Sequence, residues 1–571
     1  MKKNIQLFIT VLLFPFISFA QEFLDYGVVS SEEINLKECA FDKDAAAVIL
    51  LDEAISDYDD NGHLFTSHHI RLKILKEKGF DAANVEIYYY RKDDFEAIYN
   101  LEAMITNFTT TGQAVTEKVS NKSIYKKTEN ERLGKIIFTF PNVKVGSILE
   151  YKYQSNMKHY GGLRDWYFQN YFPVFISRYT LTVAPHLEFI YRVNKKEGVP
   201  IIIKQKKGSE KVYFEMVNIP GLGIEPFMDA REDYIQKVTF QVSGYNNGDA
   251  FGKKNYMTTW DEVTKQLQAE NDFGVQLNKN IPGTKEVIDI IKNMPAEEDK
   301  MKAVYNYVRN NIKWNGLYSI YARDGVKEPW SKQQGTSGEV NLILNNLLKD
   351  AGLETYPVLV SERFNGKVNT QYPFIDQFNN VFACVVIKGK KYYLDATDYN
   401  TPAHIIPKDI LNTTAFIVNK KNGGLVTITN DSLKYSDFVT AQMQVDDNGK
   451  FSGEVAIKSY DYSRIEKLSE YKKEGQEKYI DRNYENNGIV IKDFEFLNQV
   501  NDSLPAEQNF KFSTNLSASG EYLFVPLNIF SGFEKNPFTN DNRFSNVNFG
   551  YKRIISTYAV IALPQNYTID A

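Results

Sequence analysis

From about Phe41 to Val242, hydrophobic and polar residues mostly alternate with a period of two. Ile70, Leu72 and Ile74 are interleaved with Arg71 and Lys73, and Ile137-Phe138-Thr139-Phe140 runs into a turn at Pro141-Asn142. The run from Val145 to Tyr153 reads as a further strand. Alternation of this kind sends successive side chains to opposite sheet faces, and many short strands separated by turns predict a β-sandwich. The period then changes to helical at Thr258 to Leu267, at Thr284 to Met294, and at Met301, Val304, Tyr305, Val308 and Ile312. A further helix is predicted by Val340, Ile343, Leu344, Leu347, Leu348 and Ala351. Thr336 and Glu339 stand at capping-box spacing before it and Gly352 serves as its stop.

Strands return at Tyr356 to Ser361 and in the Ala383 to Tyr393 hairpin around Lys388-Gly389, which gives helices leading into a helix packed on an antiparallel sheet. Beyond about Lys434 the chain reads as β again, with a hairpin at Asp446-Asp447-Asn448-Gly449. The predicted fold class is therefore multidomain α+β. The expected segments are 1–20 as a leader, 21–245 as an N-terminal β-sandwich, 250–430 as an α+β core and 434–571 as a C-terminal β domain.

Charge and composition narrow the choice of partner and compartment. Met1-Lys2-Lys3-Asn4, the apolar run Ile5 to Ala20 and Ser18-Phe19-Ala20 before Gln21 have the layout of a cleavable secretory signal, so the protein is expected in the periplasm or secreted. No Cys follows the cleavage site to carry a lipid, and no later stretch is long and apolar enough for a helical span. The formal charge is −5 and falls further once Lys2 and Lys3 are removed, which argues against nucleic acid as a partner. Cys39 and Cys384 fall in different predicted domains and are expected to be unbridged, so stability must come from burial. Aromatic residues make up 14% of the chain, which suits β-rich domains.

The segment Gly335-Thr336-Ser337-Gly338-Glu339-Val340-Asn341, followed by Phe378-Asn379-Asn380 and Leu394-Asp395-Ala396-Thr397, resembles the active-site layout of transglutaminase-like, papain-like domains. In that superfamily a Gly-Asp-Cys run opens the helix, a His stands where Asn380 does, and an Asp stands in the Leu-Asp-Ala-Thr. The resemblance extends to Arg71 to Leu75 with Gly79, to Phe140-Pro141-Asn142-Val143-Lys144-Val145-Gly146-Ser147, to Trp166 to Gln169, and to Asn536-Pro537-Phe538 with Arg543. Together these resemble bacterial envelope proteins in which a β domain of unknown function precedes a transglutaminase-like core and a C-terminal β domain. The same resemblance implies a last sheet continuing past Ala571.

The three site positions decide the expected chemistry. A Cys at a helix N-terminus is activated by unpaired backbone N–H groups and needs a His to accept and return a proton. Ser337 would need a base beside it, Asn380 has no basic lone pair near neutral pH, and Asp395 has no base to orient. The degenerate triad Ser337, Asn380 and Asp395 thus predicts a pseudoenzyme with no cofactor and no metal. Its remnant cleft, with Trp314, Tyr318, Tyr321, Arg363 and Tyr372 as candidate lining, would hold an extended peptide or glycan, or an envelope protein. The alternative is a cysteine- or serine-type peptidase, amidase or acyltransferase using Ser337 or Cys384. Cys384 shares strand parity with Asn380 but has apolar neighbours, and His404 sits in a turn-rich loop.

Two rival motifs have plainer readings. Asp57-Tyr58-Asp59-Asp60-Asn61-Gly62 begins like a calcium loop, but its twelfth position is His68, which cannot supply the bidentate carboxylate. His68 and His69 are adjacent in a strand and should point to opposite faces, a poor geometry for one metal.

Overall fold

The computed structural model describes residues 25–569 apart from 60, 131, 159–162, 184–186, 207–208, 247–252, 256–258, 430–431, 533–535 and 540–542. The expected leader at 1–20 and its cleavage site lie outside the described residues. The chain divides into two compact units. One runs to Leu222 and takes in 236–242 and 246–248, and the other comprises 223–235, 243–245 and 249–571.

The first unit is built on an eight-stranded sheet. Its spatial order is Ile202–Gln205, Lys211–Ile219, Val174–Thr182, Ala47–Tyr58, Leu64–Ile74, Ile148–Met157, Glu96–Phe108 and Ala114–Lys118. Ala47–Tyr58 runs antiparallel to Leu64–Ile74 and parallel to Val174–Thr182. Period-two alternation places Leu72, Ile74, Ile105, Leu149 and Phe214 on the inner face, where they join one core with Val85, Ile136 and Phe138 of a second, three-stranded sheet. Asp59 closes the turn after the first of these strands, its Oδ1 accepting the Asn61 and His63 N–H groups at 2.9 and 2.8 Å.

The outer face of the sheet carries a buried ionic network. Arg71 is fully buried and donates to the Glu33 carboxylate at 2.8 Å and to Glu150 at 2.6 and 3.0 Å. His69 also reaches Glu150 at 2.7 Å, and Lys73 donates to the Glu33 and Ile34 carbonyls at 2.5 and 2.7 Å. Glu33 lies on a short helix, Ser31–Asn35, fixed by a capping box with Ser30. A sequence pattern alone reads Arg71 and Lys73 as a solvated face; here the 25–35 segment covers them, and each charge finds a partner or a carbonyl.

The second unit opens with the helices Trp260–Ala269, Lys285–Lys292 and Glu297–Asn311. These pack with the helix Ser337–Asp350 against a five-stranded sheet of order Lys390–Leu394, Asn380–Ile387, Glu354–Val360, Thr413–Ile417 and Gly424–Ile428. A second five-stranded sheet follows, ordered Val490–Leu497, Ala506–Asn515, Lys450–Tyr460, Tyr435–Val445 and Arg553–Ala562. The chain after Lys434 is not β throughout, because the helices Asp461–Glu474 and Gln476–Asn483 interrupt it. Of the five buried residues of the first helix only Tyr462, Ile465 and Leu468 are apolar, so its apolar signal is narrow. No helix of the described residues is long and apolar enough to cross a membrane.

Replacing Arg71 by Met keeps bulk but leaves Glu33 and Glu150 as buried carboxylates without their main cation. Loss of one partner from such a network costs about 3–5 kcal/mol. Chemical denaturation of Arg71→Met should show this loss.

Candidate functional site

The helix Ser337–Asp350 starts at the candidate site and is buried from Ser337 to Leu348 on every side. Its predicted apolar positions fill the main core of this unit. Its start is the predicted capping box: Thr336 Oγ1 accepts the Glu339 N–H at 3.4 Å and Glu339 Oε2 accepts the Thr336 N–H at 2.8 Å. The polar positions Asn341, Asn345 and Asn346 are equally buried and act as brackets. Asn346 donates to the Gln276 and Lys279 carbonyls at 2.8 Å each, and Asn345 donates to the Asn341 carbonyl at 2.8 Å.

Ser337 is fully buried, and its hydroxyl is committed to the backbone of Ser319. It accepts the Ser319 N–H at 2.9 Å and donates to the Ser319 carbonyl at 3.2 Å, while the Ser337 N–H donates to the Leu317 carbonyl at 3.0 Å. The loop carrying these groups lies directly on the helix start: a Cβ at Gly338 would fall 2.5 Å from the Tyr321 carbonyl oxygen and 2.7 Å from that of Ser319. Only glycine admits so close an approach. Among the described residues, no ionisable side chain is a hydrogen-bond partner of Ser337.

Asp395 is held by the helix and by nearby backbone. Its Oδ1 accepts from Asn341 Nδ2 at 2.8 Å and from the Thr397 N–H at 3.0 Å, and Asn341 Oδ1 in return accepts the Ala396 N–H at 2.9 Å. Asn380 turns its Oδ1 back to the Val381 N–H at 2.9 Å, and its buried Nδ2 lies within electrostatic reach of Glu362 but makes no hydrogen bond of good geometry among the described residues. Cys384 points away from the helix. It packs with Val358, Val360 and Phe382, whereas Val381, Ala383 and Val385 face the helix core. Burial pushes the Cys384 thiol up to about 12, so it is protonated and inert. His404 lines a separate cavity of about 410 Å³ with Lys302, Asp461, Arg464 and Asp502.

Of the candidate lining residues, Trp314 and Tyr318 come together with ring centroids 4.9 Å apart. Tyr318 continues to Phe364 at 5.2 Å. Trp314 is anchored through Nε1 to the Leu317 carbonyl at 2.9 Å, while Tyr318 and Phe364 are 41% and 52% exposed. Tyr321 turns inward toward Phe273 at 6.4 Å. Arg363 donates to Asp229 at 2.9 Å and to the Asn548 carbonyl at 3.2 Å, and Tyr372 stands exposed with its carbonyl bonded to Gln377 at 3.1 Å.

Glu362 is the group that sequence reasoning passed over. It is almost fully buried and exchanges hydrogen bonds with Asn379: its N–H donates to Asn379 Oδ1 at 2.9 Å and it accepts Asn379 Nδ2 at 2.7 Å. Burial first, and the charge of Asp395 second, raise its pKa to about 8, so near neutrality it is mostly a neutral acid. Burial likewise raises Asp395 to about 6, against the lowering effect of Asn341 and Thr397. Neither the reciprocal Asn379 pair nor the proximity to Asp395 has a periodic signature, because both arise from tertiary contact.

A family model for a domain of unknown function, DUF3857, matches residues 60–222. No curated protein matches the chain. The crystal structure of a candidate protease from Parabacteroides distasonis shares the fold, at 12% identity over 82% of this chain and 93% of that one, with a TM-score of 0.52. A candidate cysteine protease from Cytophaga hutchinsonii aligns over 41% of this chain and 74% of its own at 9% identity, with a TM-score of only 0.17.

Two outcomes test the site's electrostatics. Because the folded pKa of Glu362 exceeds the ordinary carboxylate value, its stabilising protonation is fully present below about pH 4.5 and is lost as pH rises through about 8. Glu362→Gln should therefore lose less stability than the wild type between pH 5 and 9, the difference growing by up to about 1.4 kcal/mol per pH unit. Separately, Asn341→Ala should destabilise the fold by about 1–3 kcal/mol, because it leaves Asp395 without its amide donor. Denaturant midpoints at each pH decide both.

Proposed function

We propose that this is an exported, non-catalytic protein whose central segment, 250–430, is a transglutaminase-like core turned binding module. In this reading 21–245 is an N-terminal β-sandwich domain and 434–571 a C-terminal β domain. The observation that carries the proposal is the closure of Ser337 on Ser319. A hydroxyl that both donates to and accepts from backbone, with no basic side chain among its hydrogen-bond partners in the described residues, is a structural hydrogen-bonding group and a poor nucleophile. The absence of a thiol at position 337 and of an imidazole at position 380 points the same way.

Binding is assigned to the aromatic step Trp314, Tyr318 and Phe364, in which Tyr318 and Phe364 stand exposed and Trp314 is half-buried. Flat rings with a polar edge suit an extended peptide or a glycan chain, by stacking and hydrogen bonding together. An envelope protein presenting such a segment is the partner class. The fold shared with the Parabacteroides distasonis protein leaves the enzymatic reading as the competitor, with Ser337 or Cys384 as nucleophile.

Activity-based serine and cysteine probes should leave the purified protein unlabelled, and Ser337→Ala should retain its biological function. Labelling of the wild type that Ser337→Ala or Cys384→Ala abolishes, with function lost and melting unchanged, would replace the proposal by the enzymatic reading. Mass spectrometry of exported protein should find the chain beginning at Gln21, and a retained Met1 would refute export by a cleaved leader.

A further inference from the structure

A polar cavity in the second unit gathers side chains from four parts of the chain. Lys302 and Asn306 stand one turn apart on the helix Glu297–Asn311, so they share a face of it. The loop at 402–405 brings His404 to the same space, and Arg464 enters it from the start of the helix Asp461–Glu474. The loop at 502–505 completes the lining. The cavity holds about 410 Å³, within the roughly 300–1,000 Å³ of small-molecule sites and well above the size of an inorganic ion.

The charges around this cavity do not cancel. Arg464 is buried and anchored by backbone, Nε donating to the Leu504 carbonyl and Nη2 to the Asn498 and Asn501 carbonyls, each at 3.1 Å. Its Nη1 is left with Asp502 at 3.6 Å, and Asp502 is shared with Arg309 at 3.5 Å, so one part-exposed carboxylate faces two guanidiniums at more than the distance of a short charge-assisted bond. The side chains of Lys302, Asn306 and His404 have no hydrogen-bond or ion-pair partner among the described residues. Asp461, the other acid of the lining, accepts the Lys434 N–H at 3.2 Å. Lys302, Arg309, Lys390, Arg464 and Lys472 act across this region against the carboxylates of Asp398, Asp461 and Asp502. Burial first, and neighbouring cations after it, lower the pKa of Arg464, Lys472 and His404 against the opposing charge of Asp502. A positive surplus stands out in a chain whose formal charge is −5.

We propose that this cavity binds a small organic anion, its carboxylate or phosphate group held by Lys302, Arg464 and His404. The Lys302 ammonium and the free Nη1 of Arg464 supply charge-assisted donors, and the Asn306 amide and the His404 ring add neutral ones. Ile405, Ile465 and Leu504 line the same cavity and give the organic body of the ligand an apolar wall. A donor set without a ligand leaves its cations repelling one another, and an anion relieves that repulsion. The proposal is independent of what the Ser337 site does.

The test is isothermal titration calorimetry of the full chain with sodium benzoate, with phenyl phosphate, and with benzyl alcohol as a neutral ligand of similar size. At least one anion should bind saturably at a single site, the tighter of the two identifying the preferred anionic group, and the alcohol should not bind. Lys302→Gln should weaken binding by about tenfold with melting unchanged, because its exposed ammonium is otherwise unengaged. Lys285→Gln, which removes a lysine outside the lining, should bind as the wild type does. Asp502→Asn removes the competing carboxylate and should bind the anion more tightly. If Asp502→Asn melts lower than the wild type, Lys302→Gln still decides. Absence of saturable binding by both anions, equal binding of the alcohol, undiminished binding by Lys302→Gln, or weaker binding by stably folded Asp502→Asn overturns the proposal.

Discussion

The second unit depends on one buried carboxylate that has no cation partner among the described residues. Asp395 stays in the core because Asn341 and Thr397 supply N–H and O–H donors to it, and because Asn341 accepts from Ala396 in return. This exchange joins the middle of the buried helix to the end of a strand. The Tyr305 hydroxyl, shared between the Asp395 and Thr401 carbonyls at 2.9 Å each, fixes the loop that follows. With helix and strand end locked, the helix start is fixed in space, and Ser337, Gly338 and the loop over them have one place to go.

Buried charge is treated in two ways, and the difference separates scaffold from site. Around Arg71 every charge meets an opposite charge or a carbonyl, as a group kept for folding should. Glu362 instead accepts from Asn379 and has no cation partner among the described residues, so burial displaces it toward its neutral form. Perturbed groups of this kind gather where a ligand or a reaction supplies the missing partner.

Much of this was legible in the chain, element by element. Alternation through Ile70, Leu72 and Ile74 gave the inner face of a strand, and Thr336 with Glu339 gave the start of the central helix, because both rest on local geometry. The opposite facing of His68 and His69 follows from the same rule. Other features depend on contacts far apart in sequence and left no local mark: the burial of Asn341, Asn345 and Asn346, the coupling of Glu362 to Asn379, and the engagement of Arg363 with Asp229. Strand parity gave Cys384 its row but not which side of the sheet the helix would occupy. The helix from Asp461 was hidden by its narrow apolar stripe.

The seating of the loop on Gly338 sets what nucleophilic chemistry at this helix start would require. A change of Ser337 to Cys together with Asn380 to His would install a thiol and an imidazole, yet the larger sulfur would still lie beneath the Ser319 backbone, and the Asp395 carboxylate would remain bound to Asn341. Such chemistry needs the loop lifted and the Asn341 pair dissolved as well, changes with no benefit until all are present. Under the proposed reading the closure works as a ratchet that turns this surface toward uses other than catalysis.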